Sequence, residues 1–199
     1  MLNLVYVHGF LSSPLSHKAQ LTKKWFAQHH PDIHYLCPEL SAYPSASYET
    51  LHALLSELDA NNTFLIGSSL GGFWATHFVE HGLAAKAVLV NPAVNPHKRF
   101  VEFIGAPLSS YYGDTQYMLT EQDLCDLETY AIPHCRDMSR YWLLAQTGDA
   151  TLDYRHGVEH YRGAKQTIEE GGNHSFEGFV HFFPEILKFF MDHKQSNNN

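Results

Sequence analysis

The sequence predicts an α/β fold, a compact and mostly parallel sheet of about six strands with helices on both faces. Three observations predict it. Short apolar runs recur near 4–7, 33–37, 63–66, 86–90, 141–146 and 165–168. Most lack polar alternation, as strands covered on both faces do. The intervals between them carry helical apolar spacing, and strand–helix–strand alternation is what the crossovers of a parallel sheet require. With 199 residues, the chain is long enough for one sizeable core and too short for two comfortable domains. We therefore expect a single domain over 1–194 and a polar tail at 195–199.

Leu4-Val5-Tyr6-Val7 reads as the first strand and delivers a loop at His8-Gly9-Phe10 that runs on through Ser12-Ser13-Pro14. A helix is expected from about Ser16 to His29, with Leu21, Trp25 and Phe26 inward, until Pro31 breaks it. Ile33 to Cys37 is the second strand. Tyr48, Leu51, Leu54, Leu55 and Leu58 then repeat at helical spacing. Phe64-Leu65-Ile66 leads through Gly67-Ser68-Ser69-Leu70-Gly71 into a helix to about His81 that is apolar almost all round and so belongs inside. Ala87 to Val90 is the next buried strand.

From 95 to about 140 the alternation is interrupted by a stretch rich in Phe and Tyr, including Phe100, Phe103, Tyr111, Tyr112, Tyr117 and Tyr130. Thr120-Glu121-Gln122-Asp123 within it resembles a capping box. We expect a small helical cap over the preceding turn; an ordinary crossover with a long loop is the alternative. The strand Tyr141 to Gln146 ends at Thr147-Gly148-Asp149, a short amphipathic helix follows, and the strand Lys165 to Ile168 ends at Gly171-Gly172-Asn173-His174. Pro184 is expected to open the last helix, where its missing N–H costs nothing.

Net charge is −8, with no basic cluster beyond Lys23-Lys24 and Lys98-Arg99. Binding of nucleic acid or an anionic membrane surface needs the opposite balance, so neither is expected. The three cysteines, Cys37, Cys125 and Cys135, form no C-x-x-C pair and indicate neither a disulfide framework nor a zinc ribbon. No basic leader with an apolar stretch is visible, and no uncharged run approaches bilayer length. The expectation is a cytoplasmic protein without stable membrane insertion. An aromatic content of 14% suggests a thick core or an aromatic-lined pocket.

Strand, tight turn, helix around Gly67-Ser68-Ser69-Leu70-Gly71 puts Ser69 at the centre of G-x-S-x-G. The bland reading is a glycine-rich turn capping a helix. The sharper reading lifts the Ser69 hydroxyl out of the sheet and leaves the Leu70 N–H free at a helix N-terminus, where partial positive charge favours an oxyanion. A serine needs a base to take its proton, and the base needs an acid to hold its tautomer. Asp149 and His174 each follow a predicted strand, and the order Ser69, Asp149, His174 is that of α/β-hydrolases. Phe10, after the first strand, supplies a second candidate oxyanion N–H.

Asp153 is the competitor for the acid. It stands where a helix is about to begin, however, and has alternative work as an N-cap. His8 and Gly9 lie beside the pocket, His8 more as a backbone hydrogen-bonding partner than as a catalytic group. Phe100, Phe103 and Tyr112 are candidate acyl-pocket residues. His156-x-x-x-His160 reads as a solvated helix face rather than a metal pair, so no metal and no organic cofactor is expected.

At these residues a family resemblance emerges. His8-Gly9-Phe10-Leu11-Ser12-Ser13-Pro14, Gly67-Ser68-Ser69-Leu70-Gly71-Gly72, Asn91-Pro92-Ala93-Val94, Gln146-Thr147-Gly148-Asp149, Leu152-Asp153-Tyr154-Arg155 and Glu170-Gly171-Gly172-Asn173-His174 look like the small bacterial YqiA-type esterases. The resemblance runs from Leu4 to Phe190, with one departure at Ala150, where it would imply an acidic residue. It implies a compact α/β-hydrolase with carboxylesterase activity, extending to acyl-CoA thioesters. The implied partner is a small acyl ester or thioester, and the implied triad falls on Ser69, Asp149 and His174. A non-catalytic hydrolase fold that binds a ligand is the remaining alternative, and loss of a triad residue would be its signature.

Overall fold

The computed structural model describes residues 1–195. The expected tail lies outside them except for Gln195, the last residue of the final helix. Six parallel strands form the sheet: β1 (Leu2–Val7), β2 (Ile33–Leu36), β3 (Thr63–Ser68), β4 (Lys86–Val90), β7 (Tyr141–Gln146) and β8 (Lys165–Glu169), in the spatial order β2-β1-β3-β4-β7-β8. Order reverses at β1: one crossover runs outward to β2, and the next returns past β1 to β3. Ligands of open parallel sheets bind at such a switch, beyond the strands' C-terminal ends.

Side-chain alternation along these strands divides the core into two layers. Val5, Val7, Leu65, Leu89, Leu143 and Ala145 face one way. Covering them are α2 (Pro44–Ser56), α3 (Leu70–Glu80) and α5 (Glu121–Tyr130), through Leu51, Leu55, Trp74, Phe78 and Leu127. Leu4, Tyr6, Phe64, Ile66, Val88, Val90 and Leu144 face the other way, under α1 (His17–His29) and α7 (Phe183–Gln195). Phe26, Phe183, Ile186 and Phe190 fill that layer. Every residue of α3 is buried, as expected for a helix with no polar face. In α7, Pro184 stands at the second position rather than the first.

The segment between β4 and β7 holds α4 (Pro96–Phe100), the short antiparallel strands β5 (Leu108–Ser109) and β6 (Gln116–Tyr117), and α5. The capping box is present, with Thr120 and Asp123 satisfying each other's N–H groups. The two-stranded ladder is a difference from the purely helical expectation. Two-residue strands carry no readable period, and the turn between them depends on Gly113 at φ +147°. Between β7 and β8 lies α6 (Tyr154–His160). Among the described residues, no helix is long and apolar enough to cross a membrane.

Candidate active site

β3 ends directly below Ser69, and α3 begins one residue later. So abrupt a reversal presses the turn onto its neighbours. A Cβ on Gly67 would collide with the Gly71 carbonyl, and one on Gly71 with the Val7 carbonyl of β1. Ser69 itself takes φ +55° and ψ −121°, a conformation that costs a non-glycine residue on the order of 1–3 kcal/mol. It is held there by three backbone bonds. The Ser69 N–H donates to the Val90 carbonyl at 3.0 Å, and its own carbonyl accepts from Gly72 at 2.9 Å and Ala93 at 3.0 Å.

Ser69 Oγ lies 3.0 Å from His174 Nε2, and His174 Nδ1 lies 2.7 Å from Asp149 Oδ2. A carboxylate can only accept, so Nδ1 carries the proton and Nε2 offers its lone pair to the serine hydroxyl. The Asp149 side chain is 1% exposed. Its other oxygen accepts from the Thr151 and Leu152 N–H groups at 2.7 and 2.9 Å. Burial pushes the Asp149 pKa up. The bonds from His174 and these two amides outweigh it and hold the carboxyl below the ordinary aspartate value. Asp153 borders the same cavity but is otherwise engaged: it caps α6 through the Arg155 N–H and grips the Arg155 guanidinium.

Gly9 lies against the serine, where an added Cβ would stand 3.2 Å from Ser69 Cβ. Neither the Phe10 nor the Leu70 N–H meets a backbone acceptor among the described residues. His8 fixes this loop from beneath. It is 2% exposed, its Nε2 accepts from the Leu40 N–H at 3.1 Å, and its Nδ1 donates to the Gly9 carbonyl at 2.9 Å. Both nitrogens are used only in the neutral Nδ1–H tautomer, and burial, opposed by the Gly9 bond, lowers the His8 pKa accordingly.

A cavity of about 1310 Å³ opens above Ser69, and His8, Gly9, Phe10, Phe100, Phe103 and Tyr112 all border it. Phe10, Phe100 and Phe103 form a mutual ring cluster with centroids 4.5 to 5.7 Å apart. Among the described residues Tyr112 joins no ring pair, and it is 43% exposed. Other aromatics of the 95–140 segment act structurally: Tyr130 stacks on Tyr48, and Tyr117 packs edge-on against Tyr43. His156 and His160 stand one turn apart on α6 and also border the cavity. Among the described residues, no three His, Cys, Asp or Glu side chains are grouped to hold a metal.

Two side chains that brace this geometry, Asn91 and Gln146, enter the sequence analysis only as members of the resembling motifs, with no individual role. Asn91 takes φ +42°, which asparagine tolerates better than most residues. Its Nδ2 donates to the Asn173 and His174 carbonyls, and its Oδ1 accepts from the Gln146 N–H. Gln146 then ties the same loop through the Asn173 N–H and the Glu177 N–H and carbonyl. The available signal was a polar residue ending an apolar strand, at Val90-Asn91 and again at Ala145-Gln146.

Comparison with known proteins agrees with this architecture. The family model described as Uncharacterised protein family (UPF0227) matches residues 3–191. Among solved structures, Est1E from Butyrivibrio proteoclasticus with ferulic acid bound superposes with a TM-score of 0.71 at 13% identity, over 96% of this chain and 88% of that one. Alpha/beta hydrolase domain-containing protein 10 from mouse gives 0.71 at 14%, over 96% and 89%. The methylesterase MES16 from Arabidopsis gives 0.62 at 14%, over 94% and 98%. At such identities the likeness speaks for the fold, which is that of the α/β-hydrolases.

Proposed function

This chain belongs to the UPF0227 family, and we propose that it is a serine hydrolase that cleaves carboxylic esters of small to medium acyl chains through an acyl-enzyme. The observation that carries this reading is the hydrogen-bonded line from Asp149 through His174 to Ser69 Oγ, lying beside two N–H groups without backbone acceptors. The YqiA-type resemblance in the motifs points the same way.

In the proposed reaction Ser69 Oγ bonds to the acyl carbon while its proton passes to His174 Nε2. The carbonyl oxygen becomes an oxyanion facing the Phe10 and Leu70 N–H groups, whose dipoles stabilise charge only as it develops. The bond to the leaving oxygen then breaks, and the imidazolium returns the proton to that oxygen. Water repeats the sequence on the acyl-enzyme: its proton goes to Nε2, its oxygen bonds the acyl carbon, and Ser69 leaves with the proton. Asp149 stays ionised throughout and stabilises the imidazolium. The 95–140 segment acts as a cap whose Phe100 and Phe103 receive the acyl chain beside Phe10.

A screen across ester and thioester chain lengths with a Ser69→Ala control tests the proposal. We expect ester turnover that the substitution abolishes. Turnover retained in Ser69→Ala, or none with any acyl substrate, overturns it.

A further inference from the structure

The alternation of β1 and β3 lets the two core layers present chemically different side chains to the cavity above Ser69. The layer under α2 and α3 delivers Leu70, Phe100 and the adjoining Phe10 and Phe103. The layer under α1 and α7 delivers Tyr6 from β1. β1 and β3 pair Tyr6 with Ile66, so Ser68 is the next side chain on that face. Tyr6 and Ser68 both border the cavity, although they are only 1% and 5% exposed.

A phenylalanine and an alanine would fill this space without polar atoms to satisfy, so the two hydroxyls need another reason. The Tyr6 hydroxyl lies near Ser68. Each hydroxyl has one donor and two acceptor sites, so both keep unused hydrogen-bonding capacity. Burial drives the Tyr6 pKa up, so the phenol keeps its proton as a donor. Ser12, Ser16 and Lys18 also border the cavity. Lys18 Nζ donates to the Ser175 carbonyl at 2.9 Å, which occupies one of its N–H groups and puts the ammonium beside His174. Burial, opposed by the Asp149 charge, lowers the Lys18 pKa to about 8, and a polar ligand would give the remaining ammonium N–H groups acceptors.

We infer that this part of the cavity is the leaving-group subsite and takes a hydroxylated alcohol, whose hydroxyls bond to Tyr6, Ser68 and Lys18. The inference rests on the esterase reading and deepens it. His174 must hand its proton to the leaving oxygen, so the alcohol lies on the imidazole side. The acyl chain goes to the Phe10, Phe100 and Phe103 side.

The test compares 1-monobutyrin with n-propyl butyrate, which share the acyl chain and the alcohol's carbon skeleton and differ only in hydroxyls. The expected kcat/KM ratio favours monobutyrin by about tenfold or more, the size of one or two net hydrogen bonds. Tyr6→Phe and Ser68→Ala should each pull that ratio toward unity, chiefly through KM for monobutyrin. A wild-type ratio near one, or a ratio kept in both variants, overturns the subsite while leaving the esterase reading intact. Failure to turn over either ester, with no covalent labelling of Ser69, overturns both.

Discussion

Asp149 Oδ2 meets His174 Nδ1 at 2.7 Å, across a gap of 25 residues in sequence. Asp153, four residues on, also borders the cavity, but its carboxylate is engaged by Arg155. Asp149→Asn should therefore present an amide that favours the wrong imidazole tautomer, lowering kcat by up to ~10⁴ with little change in Tm. Asp153→Asn should cost little of either, since asparagine also caps helices. Steady-state kinetics and thermal melts on the two variants check this, and the opposite pattern would transfer the acid role to Asp153.

His8 joins the Gly9 carbonyl to the Leu40 N–H, a pair of contacts that only a neutral imidazole can make together. His8→Ala leaves the Leu40 N–H buried without its partner, at a cost of about 1–3 kcal/mol, and frees the loop that carries Phe10. Removing an oxyanion donor outright costs roughly 10²–10³ in kcat. Loosening one should cost about 10–10², visible in kcat more than KM. Full activity in His8→Ala would mean the loop holds its shape without this residue.

Phe103 contributes one of the rings bordering the cavity and is only partly buried, so its truncation should alter binding more than folding. Each methylene that loses apolar contact forfeits at most about 0.8 kcal/mol. Phe103→Ala should shift the chain-length profile of kcat/KM while sparing acetyl esters. A uniform loss on every chain length would make this ring structural.

His77 on α3 donates from Nδ1 to the Tyr130 carbonyl at the end of α5 and stacks on His81, with centroids 4.1 Å apart. Burial, helped by His81 and His52 and opposed by the Tyr130 bond, lowers its pKa to about 4. The unfolded imidazole titrates near 6.5, so between these values the unfolded state binds more protons. The contribution is whole above about pH 6.5 and is lost as pH falls toward 4, with an upper bound of about 3 kcal/mol. Urea melts at pH 7 and pH 5 should show His77→Gln losing less stability than wild type over that interval. An identical loss in both would place the acid sensitivity elsewhere.

The sheet was legible because buried parallel strands are continuous apolar runs, and all six lie within one or two residues of their expected bounds. The reversal at Ser69 was legible because its glycines stand where backbone meets backbone. Asn91 and Gln146 were not, because their partners lie 23 to 83 residues away and only the folded sheet brings them together. The division of the cavity was hidden for a related reason. Tyr6 and Ser68 look like ordinary strand residues until register puts them on the same face. Composition treated the aromatics of 95–140 as one group, whereas packing sends Phe100 and Phe103 to the cavity and Tyr117 and Tyr130 to structural stacks.

The central claim is that Ser69 is the nucleophile, and covalent capture tests it most directly. The protein would be treated with a fluorophosphonate probe and the adduct mapped by peptide mass spectrometry, with Ser69→Ala and Ser68→Ala in parallel. The account predicts one adduct on Ser69, lost in Ser69→Ala and kept in Ser68→Ala. An adduct on Ser68, or no adduct on folded wild-type protein, would contradict it.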